Sequence, residues 1–258
     1  VAEGARLESV YMGDCIEGSN PFLSAKSNFF TMRFSLAIAL FFMSLSSIAQ
    51  KEVIDFNAVD SLYREDQFYL SLSYSNLQNP PAGFNKVKVS LGLSLGFLRD
   101  FPINKKRTWA VAAGLGYSYS GLNQNIGITE VAGENQYGII TTAFNKNKLL
   151  LHYVDLPIEI RWRTSTPESH KFWRVYTGFK VSYLFYDQYK NDAFGTKTKQ
   201  SGNADLNKLQ YGTYVAAGWN TWNVYVYYGI NPIFKSASTA SEPIKLNAFN
   251  IGLMFYIL

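Results

Sequence analysis

The amino-acid sequence predicts an all-β fold: an eight-stranded antiparallel up-and-down transmembrane β-barrel, preceded by a cleaved signal peptide. Three observations carry that expectation. Apolar residues alternate with polar or small ones from residue 67 onward. The alternating segments run about 9–15 residues, and about ten tilted residues cross the hydrocarbon layer, whereas soluble strands centre near 5–6. The connections between segments alternate short and long.

Composition agrees. Of 258 residues 47% are hydrophobic and 16% aromatic, with 18 Tyr and 19 Phe, yet only 17% are charged. A soluble domain carries nearer a quarter charged. An aromatic-rich, charge-poor chain fits a surface half facing lipid and half facing a polar interior. The net charge of +5 is scattered, with no basic run and no nucleic-acid module, so a nucleic-acid partner is not expected. The single cysteine, Cys15, lies in the leader, which excludes a disulfide framework or thiolate zinc site further along. No cofactor or metal is expected.

Residues 32–49, MRFSLAIALFFMSLSSIA, have the layout of a secretory signal peptide. Arg33 supplies the positive region, Phe34 to Leu45 the apolar run, and Ser47-Ile48-Ala49 the cleavage site. That run is too short to span a membrane as a helix. Residues 1–31 are expected to be spurious translation upstream of a start at Met32. Their Gly18-Ser19-Asn20-Pro21 resembles conceptual translation of a transfer-RNA gene. Residues 50–66 are read as a periplasmic lead-in, although Val53, Phe56, Val59 and Leu62 also have helical spacing. The barrel is assigned to 67–258.

The segments follow in order. The first sets Phe68, Leu70, Leu72 and Tyr74 against Ser71, Ser73 and Ser75. The second sets Val87, Val89, Leu91, Leu93, Leu95 and Phe97 against Lys88, Ser90, Gly92, Ser94 and Gly96. The third sets Trp109, Val111, Leu115, Tyr117 and Tyr119 against Ala112, Gly114, Gly116 and Ser118. The fourth sets Val154, Leu156, Ile158, Ile160 and Trp162 against Asp155, Glu159, Arg161 and Arg163. Pro157 lacks a ladder donor, so a local distortion is expected there without a strand break. The fifth runs from Trp173 to Phe185, the sixth from Leu209 to Trp219, the seventh from Trp222 to Ile230 and the eighth from Phe249 to Ile257. Period-2 patterning of this length marks strands with one apolar face.

Short joins fall near Pro102–Lys106, Ser165–His170 and Asn220-Thr221. Long ones include Gly121 to about Lys146 and about Asp187 to Asn207. Short periplasmic turns and long external loops are the outer-membrane layout, with both termini in the periplasm. Trp109, Trp162, Trp173, Trp219 and Trp222 all lie beside the short turns, and Tyr117, Tyr119 and Tyr183 near the long loops. Two aromatic belts at the membrane boundaries are expected from this, with outer-membrane lipid as the partner.

The other parity carries Lys88, Arg99, Asp155, Glu159, Arg161, Arg174 and Lys180, read as an ion-pair network filling the lumen. No catalytic set is legible: His152 is on the apolar parity and His170 in a turn. A non-enzymatic structural or accessory barrel is therefore expected. The alternatives are a narrow small-solute channel and a soluble lipocalin-like binder, the latter needing the charged parity to face outward.

The run Tyr153-Val154-Asp155-Leu156-Pro157-Ile158-Glu159, the following Tyr176-Thr177-Gly178 and the signal ending Ala49-Gln50 resemble the PorT-like, porin-family outer-membrane β-barrels of Bacteroidota. The chain departs from that pattern with Asp155 before Leu156-Pro157 and Phe179 after Gly178. The resemblance covers residues 65–258 and implies the barrel fold and outer-membrane location. The secretion or assembly role for which the family is named would follow from membership only.

Overall fold

The computed structural model describes residues 65–164, 172–193 and 196–257. The leader, most of the lead-in and the Ser165–His170 turn lie outside the described residues. The elements are β1 (Gln67–Gln78), β2 (Leu91–Pro102), β3 (Trp109–Asn123), β4 (Ile126–Val131), β5 (Glu134–Ile139), β6 (Lys146–Arg163), β7 (Trp173–Ala193), β8 (Thr196–Ser201), β9 (Leu209–Trp219), β10 (Trp222–Gly229) and β11 (Asn247–Ile257).

Eight of them close an antiparallel barrel, in the order β6-β3-β2-β1-β11-β10-β9-β7, with β7 returning to β6. The first and last strands seal it, from Phe68 opposite Ile257 to Gln78 opposite Asn247. Closure leaves no barrel strand with an unpaired edge, the condition for strands in hydrocarbon. All eight segments expected from the alternation are the barrel strands.

The side chains are sorted the opposite way from a soluble protein. Phe68 is 61% exposed and Ile158 51%, while Asp155, Glu159, Arg161 and Arg163 are 0% exposed. Leaving large apolar side chains in water forfeits about 1.5–3 kcal/mol each. A band of them around a whole barrel calls for hydrocarbon outside. The lipocalin-like alternative needed the reverse sorting and is overturned here.

Inward-facing glycines make room for tyrosines. The Tyr214 ring packs over Gly178 and the Tyr69 ring over Gly116 and Gly96. At Gly178 a Cβ would overlap the Tyr214 ring itself. The barrel is thus filled by rings laid over bare backbone, and Tyr69, Tyr176, Tyr214, Tyr225, Tyr227 and Tyr256 form one buried cluster with Leu98 and Met254.

Pro157 behaves as expected. It stays in register with Lys180 of β7, but on the β3 side the pairing lapses between Ala113–Ile158 and Gly116–Asp155. The missing N–H is absorbed on one side only. A separate β-bulge lies where His152 pairs with Tyr186 and Tyr153 with Leu184, leaving Phe185 as the extra residue of β7. Phe185 and Tyr186 are consequently both exposed.

The long connections depart most from expectation. The Asp187–Asn207 connection is more than the long loop expected from the sequence: β7 runs to Ala193, and β8, from Thr196 to Ser201, pairs antiparallel with its end. Likewise the Gly121–Lys146 connection contains the β4–β5 hairpin. Ala132 and Gly133 at its tip both have positive φ, 55° and 83°, as a two-residue turn matching strand twist requires. β6 has 18 residues and β7 has 21, so both rise well past the part that crosses a membrane.

These extensions share a second core. Ile126, Ile128, Leu149, Leu151, Leu206 and Phe234 belong to it, along with Ile233, Ile244 and Leu246 from the β10–β11 connection. The long-loop end is therefore a packed cap over the barrel mouth.

Candidate functional site

β6 furnishes most of the lumen chemistry, because its inward parity places Asp155, Glu159, Arg161 and Arg163 on one line. Arg161 donates from Nε to Glu159 Oε2 at 2.7 Å and from Nη1 to Asp100 Oδ1 at 3.0 Å. Arg163 grips the same Asp100 carboxylate with both terminal nitrogens, at 3.0 and 2.8 Å. Its Nε donates to the Arg107 carbonyl at 3.0 Å. The Tyr214 and Tyr256 hydroxyls donate to Glu159 Oε1 at 2.7 and 3.0 Å. Asp100 and Glu159 thus form the acidic spine of a layer near the short turns.

The end of the lead-in is part of that layer. Arg161 Nη1 donates to the Glu65 carbonyl at 3.2 Å, and Asp66 accepts from the Asp100 backbone N–H at 2.8 Å. Residues 65 and 66 are therefore tied into the barrel mouth.

Arg174 faces the same interior but forms no ion pair among the described residues. Its guanidinium lies 4.6 Å from the Phe172 ring centroid and 5.5 Å from that of Tyr256. Cation–π contact with several rings takes the place of a carboxylate. A second layer sits mid-barrel, where Lys180 Nζ donates to Asp155 Oδ2 at 3.1 Å and Ser118 Oγ to Asp155 Oδ1 at 3.1 Å. Between this layer and the cap a cavity of about 50 Å³ is lined by Ser73, Ser94, Ser118, Lys180 and Gln210 among others. Another of about 10 Å³ lies beside Glu159 and Tyr214. Spaces of this size hold isolated waters and no solute.

Two of the expected lumen residues are elsewhere. Lys88 precedes β2, is exposed, and donates to the Asn145 carbonyl at 3.1 Å. Alternation stops being a strand signal there, because β2 begins only at Leu91. Arg99 shares the parity of Phe97 and Phe101 and faces outward, whereas its neighbour Asp100 points in. Asp100 was the acid missed, and the parity of Ser94 and Gly96 extended by four residues would have found it. Asp155, Glu159, Arg161, Arg174 and Lys180 are all buried inside.

The five tryptophans line the outside at the short-turn end. Trp109 is opposite Trp162, and Trp219 is opposite both Trp173 and Trp222. At the other end Tyr117, Tyr119, Phe185 and Tyr186 surround His152 on the outer face, with the Tyr117 hydroxyl 2.7 Å from His152 Nδ1. Tyr183 is 52% exposed on the same side of the barrel. His152 has no nucleophile beside it in this ring, so no acid–base set is assembled there.

A family model for the outer membrane protein beta-barrel domain matches residues 48–235. The chain belongs to the outer membrane protein beta-barrel family. As an outer-membrane barrel it has the closed strand ladder and the apolar exterior that such a location requires. Among curated proteins none matches it. Similar solved structures include Ail, the attachment invasion locus protein of Yersinia pestis, in complex with the heparin analogue sucrose octasulfate. That match has 12% identity and a TM-score of 0.38, covering 76% of this chain and 100% of Ail. A second structure of Ail gives 11% identity and a TM-score of 0.34 over the same shares. The likeness is loose, and the fold assignment rests on the strand ladder and the family match.

The cap of this outer-membrane barrel is cross-braced by polar groups. The Tyr137 hydroxyl is 2.9 Å from Asp205 Oδ2 and 3.0 Å from Asn203 Oδ1, and Ser236 Oγ donates to Asp205 Oδ1 at 2.7 Å. These bonds join the β4–β5 hairpin to the segment before β9 and to the β10–β11 connection. The Ser236 bond, ahead of that from Tyr137, holds the Asp205 carboxyl below its ordinary value of 3.8, against the opposing effect of burial. A depressed folded pKa means stabilisation that is present above the unfolded value and lost as pH falls through the folded one. Hydrogen exchange at residues 203–206 is accordingly expected to accelerate below about pH 4, beyond its intrinsic pH dependence. Asp205→Asn should abolish that step, and an unchanged step in the variant would assign it to another group.

Proposed function

We propose that this protein is a non-enzymatic integral outer-membrane barrel, acting as a structural or accessory subunit with a closed lumen and an ordered external cap. One observation carries the reading: the interior is filled, by the Asp100–Arg161–Arg163–Glu159 layer below and the Asp155–Lys180 pair above. A buried network with these partners is a wall, and the cavities beside it are water-sized. What remains available for work is the outer surface and the cap. The short turns and both termini face the periplasm in this reading, and the signal peptide at 32–49 delivers the chain there. The resemblance of Tyr153–Glu159 to PorT-like barrels of Bacteroidota supports an accessory role in a secretion or assembly system.

The test has two parts. Outer-membrane fractions run on SDS gels with and without boiling should show a mobility shift, the sign of a detergent-resistant closed barrel. The purified protein in planar bilayers should then give no stable unitary currents. Reproducible unitary conductance would replace this reading with the narrow channel.

A further inference from the structure

We propose that the outer face of β6, β7 and β8 binds the phosphorylated headgroup of an outer-leaflet lipid, a site that rests on the membrane reading above. In the strand register Lys148 stands opposite Lys190, and Lys190 opposite Lys199. Residues directly opposite across antiparallel strands share a face, and like charges so placed destabilise the sheet. None of the three is paired with a carboxylate among the described residues. The next row outward adds Lys146 and Lys197 around a single acid, Asp192. A row of ammonium groups with no carboxylate paired to it among the described residues is complementary to an anion.

Its height on the barrel says which anion. Lys148 and Lys190 lie four residues beyond His152 and Tyr186 on the same outward face. At about 3.3 Å per residue that is roughly 13 Å along the strand, and roughly 10 Å along the membrane normal once tilt is included. The aromatic ring of Tyr117, Tyr119, His152 and Tyr186 marks the edge of the hydrocarbon layer. The lysines therefore stand just beyond it, and their flexible stems bring the charges back toward headgroup level. The Lys148 ammonium already lies 5.9 Å from the Tyr119 ring centroid. Below the ring, β6 offers acyl chains the outward track of Val154, Leu156, Ile158 and Ile160. A soluble phosphate would use the lysines alone. A phospholipid uses the lysines, the rings and the apolar track together.

The experiment reconstitutes the full chain in phosphatidylcholine vesicles and measures, by electron spin resonance, how spin-labelled phosphatidic acid and spin-labelled phosphatidylcholine partition into the motionally restricted shell. The wild type should prefer phosphatidic acid by about threefold or more, given the attraction expected of several surface lysines. The preference should shrink when salt shortens the screening length. The triple variant K148Q/K190Q/K199Q should lose at least half of it, and K235Q/K245Q, in the β10–β11 connection, should keep it. Restricted lipid with no preference, or a preference that survives the triple variant, overturns the site. No restricted lipid for any variant overturns the site and the membrane reading beneath it.

Discussion

Replacing Asp100 by alanine is expected to destabilise the barrel by about 3–5 kcal/mol, the loss typical of breaking a buried ion pair by removing one partner. Asp100 is fully buried and accepts from both guanidiniums, Arg161 at 3.0 Å and Arg163 at 3.0 and 2.8 Å. Without it Arg161 keeps Glu159 and Arg163 keeps the Arg107 carbonyl, so Arg163 loses both of its hydrogen bonds to the Asp100 carboxylate. A guanidinium cannot shed its proton to escape, so the charge stays buried and under-compensated. The measurement is reversible urea unfolding from vesicles. Adding Arg163→Met to Asp100→Ala should recover part of the loss, because the surplus charge leaves with the side chain. A loss under about 1 kcal/mol, or no recovery in the double variant, would mean that water enters this layer and that it is no tight plug.

The second large effect is steric. Gly178→Val is expected to cost about 3 kcal/mol, at the upper end for overpacking a filled interior. The added Cβ would occupy the space of the Tyr214 ring, and that ring is pinned because its hydroxyl donates to Glu159 at 2.7 Å. The tyrosine cannot swing away without abandoning a buried carboxylate. Adding Tyr214→Ala removes the clash, so the double variant should be less unstable than the sum of the two single losses by at least about 1 kcal/mol. The retained Tyr256 bond to Glu159, at 3.0 Å, keeps the double variant foldable. Strict additivity would show that the cost of the valine does not arise from the Tyr214 ring.

Together these expectations describe a molecule whose interior supports it and whose exterior meets its surroundings. The lumen joins opposite walls: β6 supplies the arginines, β2 the aspartate, and β9 and β11 the tyrosines. Any solute path would have to break several charged hydrogen bonds at once. The cap and the lysine row lie beyond the membrane-crossing part of the strands, where a partner or lipid can reach them.

The local sequence determined the strands, their faces and their order, because side chains in a strand alternate with period 2 and every barrel strand here meets a lipid-like outside and a polar inside. That is why Val154 to Arg163 could be split correctly into outward and inward sets from the residues alone. The same rule misled at Lys88, where alternation continues into a segment held by the isolated Lys86–Gln124 bridge and the Ser75–Ser90 backbone bond, outside any strand. At Arg99 the rule is right, since its parity is that of the outward Phe97 and Phe101, and reading it inward follows its charge instead. Tertiary structure alone decided which inward charges meet. Asp100 and Arg163 are 63 residues apart, and their contact follows from strand register and barrel curvature, which no local pattern carries. It alone also decided that the long connections fold into a capped extension, because Ile126, Leu149, Leu206 and Phe234 find one another only after the barrel has brought their strands together. Alternation records the surroundings of one strand; a network or a cap needs the positions of several.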